Sequence, residues 1–243
     1  MTRKEKTVEE EYKKKQLHDH ILEAPDTYIG SIDEDEFEMY YYSDKTKTIV
    51  KGKKSIVLGL YKIFDEIIVN SADQTVRNSK KCNEIRVNID KITGIITVQN
   101  NGCDIPVVIH KEEKVYVPEM IFGHLLTSGN YDQKDKLVGG KNGFGAKLAN
   151  IYSKEFSIEI TDTKRKKKYF QQFTENMYKK EEPVITDLED KTDGYIKTTF
   201  LPDYKKFGMK KLSTDMYQVM KRRIYDMAAT TSKKVKIYFN DEE

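Results

Sequence analysis

Apolar residues recur along residues 58–74 at helical spacing. At about 100° per residue, Leu60, Ile63, Phe64, Ile67 and Ser71 fall on one side, and Glu66, Asn70 and Asp73 on another. The pattern predicts an amphipathic helix with a buried stripe and a polar face. Residues 17–22 predict a shorter helix that stops ahead of Pro25, because the proline ring disfavours helix in the residue before it. Further helices are expected at 120–126, 145–152 and 213–229. β-Branched residues at 84–89 and 95–99 flank Asp90-Lys91-Ile92-Thr93-Gly94, a hairpin signal, and residues 156–161, 169–173, 195–201 and 235–239 read as strands. The acidic, tyrosine-rich stretch 33–54 alternates weakly and predicts a peripheral hairpin. Residues 1–16 are charged, lack an apolar face and read as an N-terminal arm.

Helices interspersed with hairpins, without repeats or heptads, predict an α/β chain of the two-layer α+β kind. Its sheet is expected to be mixed, mostly antiparallel, and covered on one face by helices. A doubly wound parallel sheet is disfavoured because several strands are joined too closely for crossovers. The chain has 243 residues, enough to bury a substantial core, and its 16 Tyr and 10 Phe argue against disorder despite 34% charged residues. A net charge of only +3 excludes a general basic coat for nucleic acid, although cations cluster in residues 4–15 and in Lys164-Arg165-Lys166-Lys167-Lys168. That run lies between two expected strands, so a solvated hairpin turn is the first reading and a DNA phosphate contact the second. The two cysteines, Cys82 and Cys103, have neither metal-ligand spacing nor a disulfide framework, which fits a reducing compartment. No signal-peptide core or membrane-length apolar run is present, so the expectation is a soluble, intracellular protein with no membrane partner. The chain stops just after the strand expected at 235–239, as a piece of a longer protein would.

Two segments carry the chemistry. Glu66 and Asn70 sit at i and i+4, so their side chains meet on one helix surface. A carboxylate there can polarise water for attack on a phosphoryl group, and a carboxamide oxygen suits magnesium. The bland alternative is a solvated helix face. The second segment is Gly139-Gly140-Lys141-Asn142-Gly143-Phe144-Gly145-Ala146-Lys147, running into an apolar helix. It misses the P-loop pattern because Ala146 displaces the lysine by one position and no Ser or Thr follows Lys147. Its glycines would still let backbone N–H groups approach phosphate oxygens, with Lys147 adding charge. The alternative is a surface loop capping a helix. Gln99-Asn100-Asn101-Gly102-Cys103-Asp104-Ile105-Pro106 reads alone as a turn, in which an Asn could pair with the exocyclic amine of adenine. Leu125-Leu126-Thr127-Ser128-Gly129-Asn130 reads alone as a polar loop.

Together these four segments resemble the nucleotide-binding (GHKL, or Bergerat) fold shared by DNA gyrase, the ninety-kilodalton heat-shock chaperones, histidine kinases and MutL. Within that group the chain is most similar to the ATPase domain of eukaryotic-type DNA topoisomerase II. The likeness also rests on Leu60-Tyr61-Lys62-Ile63-Phe64-Asp65-Glu66-Ile67, Ile105-Pro106-Val107-Val108, Val117-Pro118-Glu119-Met120-Ile121-Phe122-Gly123 and Pro25-Asp26-Thr27-Tyr28-Ile29-Gly30. It runs from about Tyr12 to Phe239.

The resemblance implies an arm at 1–16, an ATPase domain at 17–243, and ATP and Mg2+ as ligands. Glu66 would be the general base, Asn70 the magnesium ligand and Asn100 the adenine reader. Ser128, Gly129 and Asn130 would lie at ribose or phosphate. Gly140, Lys141, Asn142, Gly143, Phe144, Gly145, Ala146 and Lys147 would enclose the triphosphate, and Tyr12 would reach a partner subunit's nucleotide. The implied assembly is a homodimer formed on nucleotide binding, clamping double-stranded DNA for strand passage in the full-length enzyme. The implied location is the nucleus, or the site of viral DNA replication. DNA cleavage belongs to a region the family places downstream. The family also brings a lysine to the γ-phosphate from a following domain, so slow turnover is expected of this stretch. Four positions depart from the family pattern: Lys141 for arginine, Phe144 for tyrosine, Gly129 for serine and Asp104 for glycine. A chaperone-type clamp and a non-hydrolysing dimerisation switch are the competing readings.

Overall fold

The structure is a computed structural model and describes residues 16–102, 105–125, 144–189 and 193–243. Ten strands and six α-helices are found among them. The N-terminal helix α1 (Leu17–Glu23) does stop before Pro25, but a second short helix, α2 (Pro25–Tyr28), begins on that proline. A fixed φ and a missing N–H suit proline to the first helical turn, a restart not expected from the sequence. The peripheral hairpin is β1 (Glu34–Ser43) with β2 (Thr48–Val57), a two-stranded sheet of its own. Within it Tyr41 and Tyr42 are drawn into packing, whereas Tyr40 points out.

The main sheet has eight strands: β3 (Glu84–Ile89), β4 (Ile96–Asn101), β5 (Ser153–Asp162), β6 (Lys167–Thr174), β7 (Lys179–Lys180), β8 (Val184–Asp187), β9 (Tyr195–Pro202) and β10 (Lys236–Phe239). Their order is β10-β3-β4-β9-β5-β6-β7, with β8 also on β6, and only the β10–β3 pair is parallel. Alternation decides which face is covered. Ile85, Val87, Ile89, Ile96, Val98, Phe156, Ile158, Ile160 and Phe200 are buried with the apolar stripe of α3 (Leu58–Arg77), while Arg86, Asn88, Thr97, Gln99, Ser157 and Glu159 stay partly exposed. One face is therefore core and the other polar, as an antiparallel sheet allows.

On the covered face α3 packs against β4 and against α5 (Gly145–Ile151), whose residues 146–151 are all buried. The helix expected at 120–126 is instead α4 (Val117–Gly123). Pro118 starts it early, and Gly123 lies where a side chain would strike the ring of Phe173. The last helix, α6 (Thr214–Thr230), is capped by the Ser213 hydroxyl accepting the Met216 N–H at 3.2 Å, a cap worth about 1 kcal/mol. The basic run forms the β5–β6 hairpin turn. There Arg165 pairs with Asp162 at 3.0 Å, Lys167 with Asp187 at 2.5 Å and Lys168 with Glu159 at 2.8 Å. Arg165, Lys167 and Lys168 thus each have a carboxylate partner within the chain.

Candidate active site

The amphipathic stripe of α3 goes into the core and leaves its polar face toward α5. Glu66 is on that face with its side chain 21% exposed, and Asn70, one turn further, is exposed. Two neighbours set the position of the Glu66 carboxylate. Lys62, one turn back, places its ammonium on Oε1. On the other side lies the start of α5, where a Cβ built on Gly145 would collide with Glu66 Oε2 and come within 3.0 Å of Cδ. Only glycine lets the carboxylate sit against this backbone. The helix face and the glycine segment, about seventy-five residues apart in sequence, therefore meet at one contact.

Beyond Gly145 the chain turns inward. Ala146 is buried, and Lys147 is only 1% exposed. Burial pushes the Lys147 ammonium down to about 8, because desolvation disfavours its charged form. Phe144 is half-buried, its ring centroid 6.4 Å from that of Tyr28 on α2, and the Tyr28 hydroxyl lies 2.9 Å from His20 Nδ1.

Asn100 is buried near the end of β4, on the covered face with Ile96 and Val98. Its Nδ2 donates to the Asn101 carbonyl at 2.9 Å and lies 3.6 Å from Cys82 Sγ. The next residue but one is gripped by α3: Gln74 Nε2 and Asn78 Nδ2 donate to the Gly102 carbonyl at 3.2 and 2.9 Å. Gly102 has φ +71°, and a Cβ there would lie 2.5 Å from the Cys82 nitrogen, so this turn needs glycine twice over. Past it, Asp162 accepts the Val107 N–H at 2.9 Å, and hydrogen bonds from Val107 and Arg165 outweigh burial to hold its carboxyl below the usual range. Asp65 pairs with Arg223 at 2.7 Å and ties α3 to α6.

The structure thus brings together Glu66, Gly145 and the helix bearing Lys147, puts Asn70 one turn along, and sets Asn100 under the same helical layer. Phe144 and Ala146 flank the Gly145 contact. Tyr12, Asp104, Ser128, Gly129, Asn130, Gly140, Lys141, Asn142 and Gly143 lie outside the described residues. Lys62, Gln74, Asn78 and Asp162 were missed from the sequence. The i, i+4 spacing from Lys62 to Glu66 was a readable signal, whereas the grip on Gly102 exists only once the chain has folded. Two histidines have hydrogen-bond partners of their own: His18 meets the Asn176 carbonyl at 2.8 Å, and His124 meets Glu119 at 3.0 Å. Among the described residues no three His, Cys, Asp or Glu side chains gather as a metal site, and no helix is long and apolar enough to cross a membrane.

A carboxylate braced against a glycine backbone, with a buried ammonium in the adjoining helix, can accept a proton from water beside an anionic ligand. The model of the histidine kinase-, DNA gyrase B- and HSP90-like ATPase family matches residues 56–177, a span that holds Glu66, Asn100, Gly145 and Lys147. The chain belongs to this ATPase family. Within it, the chain is 54% identical over 244 residues to DNA topoisomerase 2 of Acanthamoeba polyphaga mimivirus, a match covering 98% of this chain and 19% of that protein. It superposes on the ATPase region of Saccharomyces cerevisiae topoisomerase II with a TM-score of 0.93 at 44% identity, covering 97% of this chain and 62% of the other. The ATPase and transducer domains of Balamuthia mandrillaris DNA topoisomerase II give the same TM-score at 45% identity, covering 98% and 61%. The chain therefore spans about a fifth of its curated viral relative and corresponds to the ATPase region of type II topoisomerases. The mixed, mostly antiparallel sheet with helices on one face is the fold of that region.

Proposed function

We propose that this chain binds ATP with magnesium, hydrolyses it, and serves as the nucleotide-operated gate of a type II DNA topoisomerase. The observation that carries the reading is the seating of Glu66 against Gly145, which joins an acid on one helix to the backbone entering another. Glu66 accepts a proton from the attacking water. The water oxygen bonds to the γ-phosphorus, the bond to the β,γ-bridging oxygen breaks, and ADP leaves with that electron pair. Catalysis of this kind is mainly positioning and charge stabilisation.

Asn70, exposed one turn from Glu66, would hold magnesium through its amide oxygen, where the ion supplies neutralisation of phosphate charge. Asn100 reads adenine at the end of β4, and the turn clamped at Gly102 fixes its place. Ser128, Gly129 and Asn130 bind ribose or phosphate, and residues 140–147 wrap the triphosphate with Lys147 as counter-charge. Residues 1–16 form an arm that carries Tyr12 to the partner's nucleotide, and residues 17–243 form the ATPase body. Two copies close on nucleotide binding and clamp a DNA duplex, in the nucleus or where viral DNA is replicated. The likeness to proteins named DNA topoisomerase 2 supports this assignment over a chaperone-type clamp.

Replacing Glu66 by Ala tests the reading. ADP release should fall at least ~100-fold while affinity for a non-hydrolysable ATP analogue stays within about twofold. Equal losses in binding and turnover would contradict the assigned role. Retained ADP formation would do so as well.

A further inference from the structure

We infer that Lys62 is a positioning residue for the water-activating carboxylate, an inference that rests on the assignment of Glu66 as base. The two oxygens of Glu66 are engaged differently. Oε2 faces the backbone at the start of α5, and Oε1 carries the ammonium of Lys62. The carboxylate is thereby held at both ends: Gly145 limits its approach and Lys62 limits its rotation. Oε2 is left as the oxygen on the Gly145 side and is the one that takes the proton from water. Lys62 neither gives nor receives a proton in the step.

Helix stability does not account for the pair. A lysine N-terminal to a glutamate is the less favourable i, i+4 order, and the Lys62 side chain is 46% exposed, where solvent leaves such pairs little net strength. Charge balance does account for it. A carboxylate that must work beside a polyphosphate is repelled by it, and a fixed cation on its far oxygen offsets that repulsion without occupying the oxygen that works. The nearby cation on α6, Arg223, is committed to Asp65.

The test measures ATP turnover and binding of a non-hydrolysable analogue to the 243-residue chain carrying Lys62→Met, Lys62→Arg, Glu66→Gln, or Lys62→Met with Glu66→Gln. Lys62→Met should lower kcat roughly tenfold while KM and analogue affinity stay within about twofold, since sub-ångström misplacement of a reacting group is costly and binding is not. Lys62→Arg should recover most of the rate, and Lys62→Met should cost nothing further once Glu66→Gln is present. Lys62→Gln provides the same reading should the Met variant fold poorly. Unchanged kcat in the Met variant, or equal losses in binding and turnover, would overturn the inference while leaving an inactive Glu66→Gln variant to uphold the base. Turnover that survives Glu66→Gln would sink the base assignment, and the role of Lys62 with it.

Discussion

The β1–β2 flank and the α3–α5 seam both take lysines out of water, but they treat them differently. On the flank, Lys54 is 11% exposed and donates to Asp215 at 2.8 Å and Gln218 at 2.7 Å, with its ammonium 3.9 Å over the Tyr41 ring. Lys221, 12% exposed, pairs with Asp44 at 2.8 Å and lies over Tyr42, which stacks on Tyr225. Each charge there is matched by an acid and an aromatic face, and the matched pairs join the hairpin to α6. At the seam Lys147 is more deeply buried than either, and desolvation lowers its pKa to about 8. The acid of the seam, Glu66, rests one oxygen against the Gly145 backbone and gives the other to Lys62. The flank's charges tie two elements together, whereas the seam gathers an acid and a deeply buried lysine around one glycine backbone.

Substitutions on the two sides should separate these roles. The largest effect is expected from Gly145→Ala, whose new methyl group must displace the Glu66 carboxylate. ATP hydrolysis should fall more than ~100-fold, and stability should drop by roughly 1–3 kcal/mol in chemical denaturation, the range for overpacking. Normal turnover would show that Glu66 works from another position.

Next comes Lys147→Met. It should weaken nucleotide binding more than ~10-fold, because the positive charge set against phosphate is lost. The sign of its pH dependence follows from the lowered pKa. Between about 8 and the ordinary lysine value of 10.5 the unfolded chain holds the proton and the folded chain has lost it, so stability should rise with pH across that window. Affinity for ATP should move the opposite way and decline above about pH 8 as the neutral amine loses its attraction for phosphate. Thermal melts and binding titrations of wild type and Lys147→Met across this range test both slopes.

The smallest kinetic effect belongs to the flank. Lys54→Met should cost about 1–2 kcal/mol of stability by leaving Asp215 short of a partner, with kcat and KM for ATP unchanged. A kinetic defect there would mean that the flank and the seam are coupled.

The sequence carried the layers and half of the seam. The stripe of Leu60, Ile63, Phe64 and Ile67 announced α3, and the i, i+4 step put Glu66 and Asn70 on its other face. The β3–β4 hairpin was legible in its alternation and turn residues. What could not be read was long-range. No local pattern says that Glu66 rests on Gly145, that Gln74 and Asn78 hold the Gly102 carbonyl, or that Lys147 goes under cover, because each depends on elements brought together by the core. Boundaries slipped where proline acted through the first helical turn, at Pro25 and Pro118. The short strands β7 and β8 have too few residues to show a period, and their register on β6 is set by pairing alone.

The account stands on the direction of one carboxylate. The most direct measurement is a crystal structure of the chain with a non-hydrolysable ATP analogue and magnesium. It should show a single water within hydrogen-bond reach of Glu66 Oε2, about 3 Å, and in line with the γ-phosphorus, with adenine against Asn100. A Glu66 side chain turned away from the γ-phosphate, or adenosine bound away from the end of β4, would contradict it.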